Sequence, residues 1–157
     1  MTDEPTIYEF AGGRGAWLRL ADEQYHRCLK DPLLGEQFVE EHAAHVEHLA
    51  AWLAQVFGGP GEYTERFGGF TAMLDHHVGL AITDEQRVRF VEVTMEAAEA
   101  AGLPEDPRFR ERLHGYIEWG AGVAQRNSHL GYEADRTATV PTWGWGPSGP
   151  PPGARER

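Results

Sequence analysis

Histidine is the side chain most able to do chemistry at neutral pH, and this chain sets two of its eight histidines side by side. They lie in the stretch Met73-Leu74-Asp75-His76-His77-Val78-Gly79-Leu80-Ala81-Ile82, between apolar residues. Neutral imidazole is the commonest protein metal ligand and also holds haem iron. Residue types alone leave His76 and His77 open, as metal ligands or as polar residues at a helix end. A second group, His42, His45 and His48, recurs every three residues. At 3.6 residues per turn such a series drifts by roughly 60° per step, so its members cannot all point at one ion. Only His45 joins the apolar stripe of Leu49, Trp52, Leu53 and Val56, while His42 and His48 are expected toward solvent.

Two further groups could react. Tyr25 falls on the apolar face of its helix, where its hydroxyl needs a partner: a backbone carbonyl, or a group in a cavity. Cys28 is read as a small buried hydrophobe and not a nucleophile, and as a lone cysteine it excludes an internal disulfide. The glycine-rich pieces lack the Walker pattern and a preceding strand, so nucleotide binding has no support. A formal charge of −11, with Lys30 the only lysine, excludes nucleic acid and anionic membrane as partners. No signal peptide opens the chain and no apolar run approaches the ~20 residues needed to cross a bilayer, so the expected location is cytoplasmic.

The elements that must position these groups are helical. Leu18, Ala21, Tyr25, Cys28 and Leu29 repeat at helical spacing, and Asp31-Pro32 stops that run, with Asp31 read as a cap. A short helical piece holds Leu33, Leu34 and Phe38. The next helix runs from about His42 to Phe57 and ends at Gly58-Gly59-Pro60-Gly61. Residues 62–69 read as a looser stretch, and a short helix follows from about Phe70 to His77. Thr83 and Gln86 form a capping-box pattern ahead of a helix with Val88, Val91, Met95 and Ala98 on one face. Asp106-Pro107 opens the last helix, which carries Phe109, Leu113, Tyr116, Ile117 and Val123. No segment alternates as a strand. The fold class is therefore all-α, with a lead-in at 1–15, a helical domain at 16–128 and a Pro/Gly-rich tail at 129–157. Trp143 and Trp145 leave two readings of the tail open, docked on the domain or unstructured.

Taken together, these residues resemble a group II truncated haemoglobin of the actinobacterial type. The resemblance is carried by Asp31-Pro32-Leu33-Leu34, Phe38, His45 through Leu53, Phe57-Gly58-Gly59-Pro60 and Tyr63-Thr64. The proximal half matches at Met73, His77, Ile82 and Arg87, and the last helix at Tyr116-Ile117-Glu118-Trp119-Gly120 and Asn127-Ser128. The match spans roughly residues 6–128. It implies a truncated globin, a two-over-two helical sandwich around haem b (iron protoporphyrin IX), with His77 as the iron ligand and His76 only its neighbour. A backbone carbonyl near Met73 is the natural acceptor for the other ring N–H. The family's distal positions fall on Tyr25 and His45, with Phe38 and Leu49 beside them. Phe57, Tyr63, Met73, Leu80, Ile82 and Phe90 are the remaining cofactor-binding candidates. The family usually has tryptophan where Phe90 stands, so an indole N–H donor is absent. Many relatives carry a small residue where His45 stands, so the donor role is expected to have moved there.

The resemblance implies reversible binding of O₂, or of NO, CO or sulfide, at haem iron. NO-dioxygenase or peroxidase-like turnover would need a reductase, and a homodimer fits the family. No catalytic residue is assigned. Two other readings stand beside this one: a non-haem metal protein using His45, His48 and Glu41 or Glu47, and a helical interaction protein with structural histidines.

Overall fold

A computed structural model of the chain describes residues 4–38 and 42–154. Among these residues there are seven α-helices: α1 Ile7–Ala11, α2 Arg14–Lys30, α3 His42–Val56, α4 Glu62–Phe67, α5 Gly69–His77, α6 Asp84–Ala100 and α7 Pro107–Asn127. No strand occurs among the described residues. Helices α2 and α3 pack as one pair and α6 and α7 as another, and α2 lies against α6 to join them. That arrangement is the two-over-two sandwich.

The expected caps form. Thr83 Oγ1 accepts from the Gln86 backbone N–H at 3.1 Å, and Gln86 Oε1 accepts from the Thr83 N–H at 2.9 Å. Asp106 accepts from the N–H groups of Arg108 and Phe109, with Pro107 at the first helical position, where no N–H is needed. Each arrangement satisfies donors that the first helical turn would otherwise leave bare.

Two local expectations are corrected, for residues 62–69 and for the face of α6, and the lead-in gains a helix. Residues 62–69 are not loose: α4 forms there and ends at Gly68, whose φ of 91° suits a left-handed helix cap. Its start is held by Gln55 of α3, whose amide accepts from the Thr64 N–H at 3.0 Å and donates to the Thr64 hydroxyl. The lead-in contains α1, capped by Thr6, with Ile7 1% exposed. On α6, Val88 is 49% exposed, and the buried face runs instead through Val91, Val93, Thr94, Ala97 and Ala98.

Trp17, Phe57 and Phe109 are wholly buried at the centre of the core. The Trp17 and Phe57 rings stack at 5.2 Å, and Phe57 meets Tyr116 edge-on at 5.5 Å. A tryptophan buried this way contributes on the order of 4–6 kcal/mol before conformational entropy is subtracted. Tyr116 also accepts from Trp52 Nε1–H, which ties α3 to α7, and burial holds its phenol above the usual tyrosine range.

The tail docks. Trp143 N–H donates to the Val56 carbonyl at 2.7 Å, and its ring packs on Tyr116. Trp145 Nε1–H donates to the Pro5 carbonyl at 2.9 Å, so the tail reaches the start of the described chain.

At the end of α2, Asp31 lies just past the helix and accepts from the Leu33 N–H at 2.9 Å and from Arg89 Nε of α6 at 2.7 Å. The Arg89 hydrogen bond is the main reason its carboxyl sits below the usual carboxylate range. A carboxyl depressed on folding stabilises the protein above its unfolded pKa, and that stability is lost as pH falls through the lowered value. Asp31→Asn should therefore cost stability at neutral pH, with the difference from wild type shrinking in acid. Urea midpoints measured across this range check it, and a constant difference would contradict the Arg89 account.

Candidate functional site

The residues expected on the distal side come from α2, the turn at 35–38 and α3, with α6 beside them. Successive inward positions of α2 bring Gln24, Tyr25 and Cys28 into the interior. The His45 ring lies 5.2 Å from the Tyr25 ring and 5.2 Å from the Phe38 ring. Phe38 in turn lies nearly parallel to Phe90, with ring centres 6.5 Å apart. Tyr25, Phe38, His45 and Phe90 thus form one continuous aromatic group drawn from four separate parts of the chain.

The residues expected on the proximal side lie at the end of α5. His77 is its last residue, and the chain turns outward at Val78. The His77 Nδ1–H donates to the Met73 carbonyl at 2.8 Å. A carbonyl can only accept, so this bond places the ring proton on Nδ1 and the basic lone pair on Nε2. His76, by contrast, is exposed, and its ring lies 5.7 Å from that of His48. Helices α3 and α5 therefore approach each other at His48 and His76, one turn from His45 on α3 and one residue from His77 on α5.

His48 is not the solvent-facing residue expected. It is half-buried, with its ring 4.5 Å from that of Phe67. The His42 side chain, like Glu41, lies outside the described residues. Among the described residues, no three of His, Cys, Asp and Glu converge to hold a metal ion. Cys28 is buried, and desolvation pushes its thiol up to about 12, the state of an inert hydrophobe.

The other candidate residues divide. Leu49 and Met73 are partly buried against the main core. Phe57 is enclosed between Trp17 and Tyr116, and Tyr63 sits edge-on to Trp52 at 5.0 Å, so these two are packed into the body of the fold. Leu80 is 37% exposed and Ile82 half-buried, both in the loop that joins α5 to α6.

That loop is clamped by residues the spacing arguments passed over. The buried Ser128 accepts through its carbonyl from the Gly79 and Ala81 N–H groups at 3.0 and 3.1 Å. Its hydroxyl oxygen accepts from the Ile82 N–H at 2.9 Å and donates to the Gln125 carbonyl at 2.6 Å. These bonds hold Ala81 at φ 49°, a left-handed conformation unusual without glycine. Gln37 Nε2–H donates to the Leu80 carbonyl at 3.3 Å, which ties the Phe38 turn to the same loop. Gln24 was also passed over. It is wholly buried, and its amide oxygen lies 3.2 Å from His45 Nε2. The available signal was positional: Gln24 falls between Leu20 and Cys28 on the inward stripe of α2, where a polar residue needs a partner.

This fold is shared with known proteins. Residues 6–117 match the bacterial-like globin family. The group 1 truncated hemoglobin GlbN of Nostoc sp. (strain MUN 8820) is 32% identical over 99 residues, covering 62% of this chain and 77% of that protein. The hemoglobin of Chloroflexus aurantiacus superposes with a TM-score of 0.68 at 34% identity, over 77% of this chain and 98% of its own. The group II truncated hemoglobin of Bacillus anthracis gives 0.70 at 22% identity, over 85% and 98%, a likeness of fold. The chain belongs to the bacterial-like globin family. It is a haem-binding truncated globin, with small gases such as O₂ as the ligands of its class.

Proposed function

We propose that this globin holds haem b through His77 Nε2 and binds O₂ reversibly on the side lined by Tyr25 and His45. The observation that carries the reading is the His77 Nδ1–H bond to the Met73 carbonyl. It fixes ring and tautomer so that Nε2 is the nitrogen able to ligate, and a polarised N–H makes that nitrogen a stronger donor. Haem held there would supply an iron able to bind a small ligand. The chain supplies the rest. Phe38 and Phe90 provide an apolar wall, and Ser128 holds the loop that follows His77. The Tyr25 hydroxyl lies among the residues that can donate to a partly negative ligand atom. Leu49, Met73 and Ile82 complete the apolar lining in this reading. Leu80, Phe57 and Tyr63 act less directly, through the α5–α6 loop and the packing behind α3.

One donated hydrogen bond is worth about 0.5–1.5 kcal/mol, a factor of about two to ten in ligand retention. Haemin added to the recombinant protein should give a Soret band, and its absence would overturn the reading. In the loaded ferrous protein, Tyr25→Phe should release O₂ about two to ten times faster than wild type by stopped-flow. An unchanged rate would remove Tyr25 from the ligand's surroundings.

NO, CO and sulfide fit the same position. Turnover of NO or peroxide would draw on a separate reductase. A cytoplasmic setting is supported by the free, buried Cys28 thiol. Among the described residues, no helix is long and apolar enough to cross a membrane. A homodimer is consistent with exposed Trp119 on α7, whose relative exposure is 45%.

A further inference from the structure

Gln24 Nε2 is the one buried side-chain nitrogen or oxygen without a hydrogen-bond partner among the described residues. Its residue is 0% exposed. Leaving an amide N–H bare in a protein interior is costly, and such groups are rare unless a water, ion or ligand meets them. The other end of the same amide is engaged, since Gln24 Oε1 lies 3.2 Å from His45 Nε2. An amide oxygen only accepts, so His45 must carry its proton on Nε2 and donate it to Gln24. That nitrogen is then unable to offer a lone pair to iron. The His45 ring also packs on Tyr25 and Phe38, so the unsatisfied amide sits at the edge of the distal group and not in a separate part of the core.

We propose that Gln24 is a further distal residue with two roles. Its amide oxygen positions His45 as an Nε2–H tautomer turned to the protein, and its amide N–H is a donor reserved for a small ligand or water with an acceptor atom. The ligand class it selects is acceptor-bearing: O₂, or an anion such as fluoride on the ferric protein. The inference rests on the haem-binding reading, but its first half concerns the apoprotein alone. It also assigns the donor lost at Phe90 to the Gln24 amide, with His45 as the group that orients it. His45 itself is held back from direct coordination.

The test uses Gln24→Met, which keeps the side chain's length, and Gln24→Leu in case the first fails to fold. Long-range ¹H–¹⁵N NMR of the apoprotein should show His45 as the Nε2–H tautomer in wild type and a tautomer mixture in the variant. Fluoride titration of the haemin-loaded ferric protein should show affinity weakened by about two- to tenfold in the variant. A purely structural role would lower stability and leave both readouts in place. An unchanged tautomer or an unchanged fluoride affinity overturns the proposal. A wild-type protein with no Soret band defeats instead the reading beneath it, whatever the apoprotein NMR shows.

Discussion

His77→Ala should abolish the normal proximal haem spectrum and accelerate haem loss by at least about a hundredfold, because it removes the nitrogen proposed to hold the iron. Disturbing even an outer partner of a ligating histidine commonly costs about ten- to a hundredfold in affinity. Loss of the ligand sets the larger figure, about 2.7 kcal/mol or more at a hundredfold. The variant should still fold. His77 is the final residue of α5 and only half-buried, so its removal leaves little cavity and one Met73 carbonyl without its side-chain partner. Haem transfer to a scavenging apoglobin, followed in the Soret region, measures the rate. Two companions sharpen the result. His76→Ala should behave as wild type, since His76 is exposed beyond the end of the site. His77→Gly with added imidazole should recover the wild-type spectrum, because the free base can take the vacated place. A His77→Ala protein with an unchanged spectrum would move the ligand elsewhere, with His76 the first position to try.

The bond between His77 and the Met73 carbonyl is legible in the chain because its logic is local. His77, its Met73 acceptor four residues earlier and the helix end at Val78 all lie within two turns of backbone. The four long helices were readable for the same reason, since apolar period and caps are encoded within each segment. Residues 62–69 failed because α4 is held from outside, by Gln55 on α3, and carries no strong internal pattern. The face of α6 was misjudged at Val88 because an apolar residue on a helix can face solvent at small cost. The distal group hid its most informative member. Tyr25 and His45 were readable as residues able to donate, but the Gln24–His45 bond joins positions on two helices, and nothing in the spacing of either specifies it. Ser128 is legible only as part of a matching motif, without a role. Its work is done on residues 79, 81 and 82, which reach it only through the fold.

Ending the chain after Asp135 should lower the melting temperature by on the order of 10 °C, a loss of about 3–6 kcal/mol in a domain of this size. The reason is that the Trp-containing tail is a packed layer along α7 and α1. Trp143 lies edge-on to Tyr116 at 5.3 Å and meets Trp119 at 6.3 Å, while the Arg112 guanidinium sits 4.7 Å above its ring. Arg112 also donates to the Gly144 carbonyl at 2.8 Å, so the cation is held in place from two sides. Trp145 packs edge-on against Phe10 at 5.2 Å, and Val140 and Ala154 are 9% and 6% exposed. Arg108 Nη1–H reaches the Pro150 carbonyl at 2.8 Å. Removing these residues uncovers Tyr116, which the Trp52 bond couples to α3, and strips the Val56 carbonyl of its Trp143 donor. The effect should therefore pass through α7 to the helix that carries His45. The Arg136–Asp75 pair at 2.9 Å is more than half exposed on both sides, so its own share is small. Trp143→Ala in the full chain should accordingly reproduce a large part of the loss, and Arg136→Ala almost none, by thermal melting of the haem-free protein. A truncated chain that melts with wild type would show that the contacts of the tail form at no net gain, their enthalpy cancelled by the entropy of ordering a proline- and glycine-rich segment.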